Sequence, residues 1–191
     1  MIIDQKRIFR LEEQTVVLDD FPAEGWILDV GGGGEAVIGQ LKKSQVVAID
    51  MLPRELAEAP SGPLKIIMDG RDLKFLDCTF NTVTAFFSFL FIHPDDHGKV
   101  LREIFRVLAP NGQFLLWDID IPQLTENEGE MLAFRLQVKL PSAVIHTGYA
   151  TPYTEKYITL HHYIAQANDI GFKWIEQGFA GQTFFCRFLK P

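Results

Sequence analysis

Apolar and polar residues follow one another along this chain in blocks whose period changes repeatedly. Trp26–Val30 is a short apolar run that ends at four consecutive glycines, Gly31–Gly34. Short apolar runs bounded by turn residues are the pattern of buried strands. Glu35–Lys43, with Ala36, Val37, Ile38 and Leu41 as apolar members, predicts a helix. Val46–Ile49 predicts a second strand, tipped by Asp50, and Pro53 opens a helix running to Ala59, proline being well suited to a first helical turn. Leu64–Met68 predicts a third strand, and the nearly continuous apolar run Asn81–Phe91 a central strand covered on both faces. Val100, Leu101, Ile104, Phe105, Val107 and Leu108 recur at helical spacing within Asp95–Leu108. Pro110-Asn111-Gly112 closes that helix before a fifth strand, Gln113–Ile119. Strands alternating with helices predict an α/β fold with a doubly wound, mostly parallel sheet.

The two ends of the chain are patterned differently. Met1–Phe21 is mixed in period and reads as a lead-in. Gln123–Pro152 is a segment of about thirty residues with weak periodicity, longer than typical connections, and is expected to be a lid or substrate segment. Within it Phe134–Leu140 alternates, as a short strand, an amphipathic cover or a dimer surface would. Thr154–Ile170 returns to a helical pattern with Thr154 as N-cap. Gly171–Glu176 and Thr183–Leu189 then form two strands around a glycine-containing turn, so an antiparallel hairpin completes a seven-stranded sheet. Without repeats or linker composition, residues 1–191 are expected to form one domain.

Composition narrows the partners. An apolar fraction of 47% with 23% charged residues is ordinary globular composition. The net charge of -7 argues against nucleic acid or an anionic membrane surface, either of which normally needs a basic face, and suits a small molecule better. Cys78 and Cys186 are too few and too far apart for a disulfide framework or a zinc site. The polar cluster His93-Pro94-Asp95-Asp96-His97 is an unpromising metal site, since adjacent residues rarely converge on one ion. Met1–Phe21 carries charges throughout, unlike a signal peptide, and Val83–Ile92 is about half of a membrane span, so a cytoplasmic location is expected.

The glycine run carries the chemistry. Glycine lets a backbone turn sharply and approach a ligand where a Cβ would collide. Asp50 stands seventeen residues after Gly33, and a carboxylate at the tip of the second strand can accept both hydroxyls of a ribose. Gly31-x-Gly33-x-x-Ala36 also satisfies the dinucleotide fingerprint, which keeps a NAD(P)-dependent oxidoreductase open. Against that reading stands Glu35, where a pyrophosphate would meet a like charge.

The segments ILDVGGGG (27–34), VVAID (46–50), IIMDGRDLKF (66–75), FNTVTAFFSFLFI (80–92) and LREIFRVLAPNGQFLLWDI (101–119) together resemble the class I S-adenosylmethionine-dependent methyltransferases of the type 11-like group. That resemblance implies a Rossmann-like fold, S-adenosyl-L-methionine as cofactor and methyl transfer to a small-molecule acceptor. It implies that Asp29, Gly31 and Gly33 shape the loop under the methionine part, that Asp50 holds the ribose and that Met51 packs on the adenine. Asp69 and Gly70 then address the adenine edge, and Phe87 and Ser88 line the pocket beside the methionine. The family commonly has a third glycine where this chain has Glu35. The preference of acids for first turns makes Glu35 a solvated helix start, while a place in the cofactor site would set it facing the cofactor's ammonium. His93 is the best-placed candidate base, although the same cluster also reads as the start of the next helix. Asp118, His146 and Tyr149 are candidate acceptor contacts. The lead-in is short for this family, so either segment 123–152 or a second subunit of a homodimer is expected to cover the pocket. A catalytically degenerate domain that binds S-adenosyl ligands is the third reading.

Overall fold

The computed structural model describes residues 8–121, 130–153 and 158–191. Seven strands form the main sheet: β3 (Ile27–Val30), β4 (Val46–Asp50), β5 (Leu64–Ile67), β6 (Phe80–Phe86), β7 (Leu108–Ile119), β10 (Lys173–Ala180) and β11 (Thr183–Leu189). Their order is β10-β11-β7-β6-β3-β4-β5. β5, β4, β3, β6 and β7 run parallel, and β11 is antiparallel to both β7 and β10. This is the expected sheet with its terminal hairpin.

Period-2 alternation divides the apolar residues of the central strands between two cores. Leu28, Val30, Val47, Ile49, Val83 and Ala85 pack under α3 (Pro94–Val107) and α4 (Leu160–Ile170). Ile27, Val46, Ala48, Leu115 and Trp117 pack on the other face, with Val37 and Ile38 of the short helix α1 (Val37–Lys42). A second helix, α2 (Pro53–Glu58), lies between β4 and β5 in the chain.

The rest of that second face is covered by a small sheet. β1 (Ile8–Arg10) and β2 (Gln14–Val17) pair in parallel with successive halves of β8 (Met131–Lys139), and β9 (Val144–Pro152) pairs antiparallel with β8. The lead-in and most of the expected lid segment are therefore strands that pair with each other across more than a hundred residues. Leu132, Phe134, Leu136 and Val138 point inward with Val16 and Leu18, which is why β8 alternates. Residues 122–129, the start of the expected lid, lie outside the described residues.

Several boundaries differ from expectation for local reasons. α1 starts at Val37 because Ala36 adopts a left-handed conformation, φ 45° and ψ 52°. β6 stops at Phe86 because Phe87 is also left-handed, φ 49°, and the chain turns into a 3-10 segment at Phe89–Phe91. The Pro110–Gly112 turn is a kink inside the bounds of β7, centred on Asn111 with φ 62°. α4 begins at Leu160 behind Thr159, and the expected cap Thr154 lies outside the described residues. Gly171 ends α4 in a left-handed conformation instead of opening a strand.

Candidate active site

The main cavity, of about 860 Å³, borders the carboxyl ends of β3, β4 and β6. There the strand order reverses, the place where open α/β sheets bind ligands. The glycine loop forms its floor. The Gly31 and Gly32 N–H groups both donate to the Ile49 carbonyl, at 2.9 and 3.0 Å, and the Gly34 N–H donates to the Glu55 carbonyl at 2.9 Å. Gly31 has φ 76°, and a Cβ there would stand 2.4 Å from Cβ of Ser88. A Cβ on Gly33 would stand 2.8 Å from Asp50 Oδ2 and 2.6 Å from Cβ of Glu55. The loop thus sits in a slot that admits no side chain.

Asp50 accepts the Leu52 N–H through Oδ1 at 2.9 Å, and its other oxygen lies beside Gly33 in the cavity wall. Asp29 is buried under the loop, with the Thr84 hydroxyl donating to it at 2.7 Å. Burial pushes its carboxyl up to about 7, against the Thr84 hydrogen bond and with some help from the charge of Asp50. At the other end of the cavity the Arg71 guanidinium donates to both oxygens of Asp69 and, at 2.9 Å, to Asp96 at the start of α3. Hydrogen bonds from Arg71 hold the Asp69 carboxyl below the usual range. Met51 and Gly70 complete this side of the wall.

Phe87 and Ser88 close the cavity where β6 ends. The Ser88 hydroxyl oxygen is buried in that wall and has no hydrogen-bond partner among the described residues. Phe87 stacks on Tyr149 of β9, with ring centroids 5.7 Å apart and an interplanar angle of 21°. Phe91 meets Tyr149 edge-on at 5.9 Å.

Glu35 is not the solvated helix start of the sequence reading. With Ala36 left-handed, Glu35 precedes the helix, and its carboxylate lines the cavity facing β9. The Thr147 hydroxyl donates to one oxygen, and the Tyr149 hydroxyl approaches the other at 3.5 Å. Burial, then the charge of Glu35, raises the Tyr149 phenol far above its ordinary value, so it is a neutral donor.

The cavity brings together Asp29, Gly31, Gly33, Glu35, Asp50, Met51, Asp69, Gly70, Phe87, Ser88, His93 and Tyr149. His93 stands at the start of α3 as its N-cap, accepting the Asp95 N–H at 3.4 Å, with a side chain 60% exposed. Asp118 is not in the wall. It is fully buried, accepting the N–H groups of Leu90 at 3.1 Å and of Ile119 at 2.8 Å. His146 is exposed on β9, on the face opposite Thr147 and Tyr149, and does not line the cavity.

The sequence reading missed Arg54, Glu55 and Glu58 on α2, Arg71 and Asp96, all of which line the cavity. The position of α2, directly after Asp50, was the available signal for the first three. Arg54 pairs with Glu55 at 3.6 Å and Glu58 at 3.3 Å. Among the described residues, seven carboxylic acids line the cavity against two arginines, and both arginines are already in ion pairs. A glycine floor, a free carboxylate oxygen at the tip of β4 and an unpartnered serine hydroxyl suit a nucleoside ligand that carries no phosphate. No helix among the described residues is long and apolar enough to cross a membrane.

Residues 28–116 match the family described as a methyltransferase domain. A ubiquinone/menaquinone biosynthesis C-methyltransferase from Desulfotalea psychrophila is 32% identical over 110 residues, which cover 53% of this chain and 44% of that protein. The chain thus spans less than half the length of that relative. Among solved structures, a SAM-dependent methyltransferase from Methanosarcina mazei aligns with a TM-score of 0.62 and 18% identity, over 89% of this chain and 94% of that one. The glycopeptide N-methyltransferase MtfA, solved with S-adenosylhomocysteine, aligns with a TM-score of 0.60 and 18% identity, over 89% and 84%. The stretch from β3 into β7, which holds the glycine loop, Asp50, Asp69 and Ser88, therefore matches the methyltransferase-domain family model, and the chain shares its fold with solved SAM-dependent methyltransferases.

Proposed function

We propose that this chain binds S-adenosylmethionine and directs its methyl group to a small-molecule acceptor. The observation that carries the reading is the charge of the cavity: among the described residues, seven acids against two arginines that are already paired. A dinucleotide would bring a pyrophosphate into that field, and like charges in a poorly solvated site repel by several kcal/mol unless paired. When bound, the cofactor supplies an electrophilic methyl group on a positively charged sulfur. Asp50 accepts the ribose hydroxyls, Met51 and the Asp69-Gly70 segment flank the adenine, and Gly31 and Gly33 leave room for the methionine part. Asp29 supports the loop from below, and Phe87 and Ser88 face the reacting end. These residues orient and desolvate the donor, which is most of what in-line methyl transfer asks of a protein.

Isothermal titration separates the readings. S-adenosylhomocysteine binds with one site per chain and NAD(P) gives no heat; the reverse pattern would assign the cavity to a dinucleotide.

A further inference from the structure

The end of the cavity beneath β9 has a composition that selects among acceptors. Its wall is aromatic, with Phe87 stacked on Tyr149 and Phe91 edge-on to it. Among the described residues, the carboxylate at this end is Glu35, which the hydroxyls of Thr147 and Tyr149 face. A carboxylate has about four acceptor sites, so two hydroxyl donors leave capacity for a third, charged donor. The Tyr149 hydroxyl is turned to Glu35 and is held neutral, so it serves as a donor and not as a base. Among the described lining residues the two arginines are bound to other acids, and His93 caps α3 at an exposed position. An anionic acceptor therefore finds no free cation among them, and an unactivated alcohol finds no enclosed base apart from Glu35. A protonated amine finds both a carboxylate and π faces, each of which attracts a cation.

We propose that the methyl acceptor is an amine, held as its ammonium ion between Glu35 and the aromatic wall of Phe87, Phe91 and Tyr149. This rests on the methyl-donor reading given above and names the substrate class of the same site. The ammonium passes one proton to Glu35, which frees its lone pair. That pair forms the new N–C bond to the donor's methyl as the S–C bond breaks, its electrons remaining on sulfur. Glu35 then releases the proton to water. The products are a methylated ammonium ion, the neutral thioether and one proton. Positive charge moves from sulfur to nitrogen, and Glu35 stands ready to stabilise it at its new position.

The test is binding to the complex already saturated with S-adenosylhomocysteine, so no turnover is needed. Phenethylamine, 2-phenylethanol and 3-phenylpropanoate share a ring and differ in charge. We expect the amine to bind about tenfold or more tightly than the alcohol, and the carboxylate to bind most weakly, as electrostatic focusing in an acidic cleft dictates. In Glu35→Gln the amine's advantage shrinks to about twofold while S-adenosylhomocysteine affinity stays within about threefold of the parent, since one charge is removed and the rest of the cavity kept. Tyr149→Phe keeps the ring, removes the hydroxyl that faces Glu35 and lowers the amine's advantage by a smaller factor. Unfolding midpoints near that of the parent show that both variants are folded. Equal binding of amine and alcohol in the parent, binding of none of the three, or an amine preference that survives in folded Glu35→Gln overturns the proposal. Loss of S-adenosylhomocysteine affinity in Glu35→Gln with the amine preference intact also overturns it, and assigns Glu35 to the cofactor. If the parent does not bind S-adenosylhomocysteine at all, the methyl-donor reading fails first, and the amine proposal falls with it.

Discussion

Replacing Asp118 by Asn should change how stability depends on pH and leave ligand binding alone. Asp118 is fully buried, and its two oxygens accept the backbone N–H groups of Leu90 and Ile119. Burial outweighs these hydrogen bonds and raises the carboxyl to about 7, from an ordinary value of 3.8. A folded-state value above the unfolded one means that the folded protein holds the proton more tightly. The contribution to stability is complete below the unfolded value and is lost as pH rises through about 7. At 1.36 kcal/mol per unit, the loss between about pH 5 and about pH 7 comes to roughly 2 kcal/mol, because the titration is only half complete at the upper limit. Asn has nearly the shape of the protonated acid and does not titrate, so the variant escapes this decline. Stability from urea unfolding, measured for both proteins across that window, should give a variant-minus-parent difference that rises by roughly 2 kcal/mol toward neutral pH. Asp29, which burial also raises, is present in both proteins and cancels from the difference. A difference that is flat with pH, or that falls, would refute the reasoning. So would a change of more than a few-fold in S-adenosylhomocysteine affinity, since Asp118 is not part of the cavity wall.

Three further outcomes follow from the cavity. Asp50→Ala should weaken S-adenosylhomocysteine binding by about 10- to 100-fold by titration calorimetry, the cost of losing hydrogen bonds from a charged acceptor, with little change in unfolding midpoint. Gly31→Ala combines a left-handed φ of 76° with a Cβ placed 2.4 Å from that of Ser88. Strain and overpacking together should cost about 2–5 kcal/mol of stability in urea unfolding, against about zero for Gly148→Ala on β9, where φ is not positive and a Cβ would meet only the Phe134 carbonyl oxygen at 3.4 Å. Arg71→Ala removes the bridge between Asp69 and Asp96. Both carboxyls should then titrate closer to their ordinary values, visible in the side-chain carbon shifts of a pH series, and S-adenosylhomocysteine binding should weaken by a few-fold.

Legibility in the sequence followed the range of the interactions. The parallel sheet was readable because each strand announces itself within a few residues, as an apolar run bounded by glycine, proline or aspartate. The glycine loop and Asp50 were readable for the same reason: the tip of β4 is set by the strand, and the loop by adjacent residues. The small sheet was half readable. Phe134–Leu140 alternates, but nothing near β8 indicates that its partners are Ile8–Arg10 and Gln14–Val17, because parallel pairing leaves no hairpin turn between the partners. Asp118 was misread as an acceptor contact because the end of β7 does approach the ligand edge of the sheet. Only the path of Phe89 and Leu90 across it shows that its oxygens are consumed by backbone N–H groups.

Glu35 shows the same limit at the functional site. Judged by its neighbours it is an acid at the start of a helix, and such acids are usually solvated. Two left-handed residues remove it from that role. Ala36, at φ 45°, delays the helix, and Phe87, at φ 49°, brings the end of β6 to where its ring stacks on Tyr149. Left-handed conformations at residues with a Cβ cost roughly 1 kcal/mol or more each and persist only where the surroundings enforce them. Here both flank the same cavity, and both serve to bring Glu35, Phe87 and Tyr149 together at one end of it. The glycine loop lies in the stretch that matches the methyltransferase-domain family model. The replacement of the third glycine by Glu35, answered by two hydroxyls from a strand more than a hundred residues away, is where its own specificity is expected to reside.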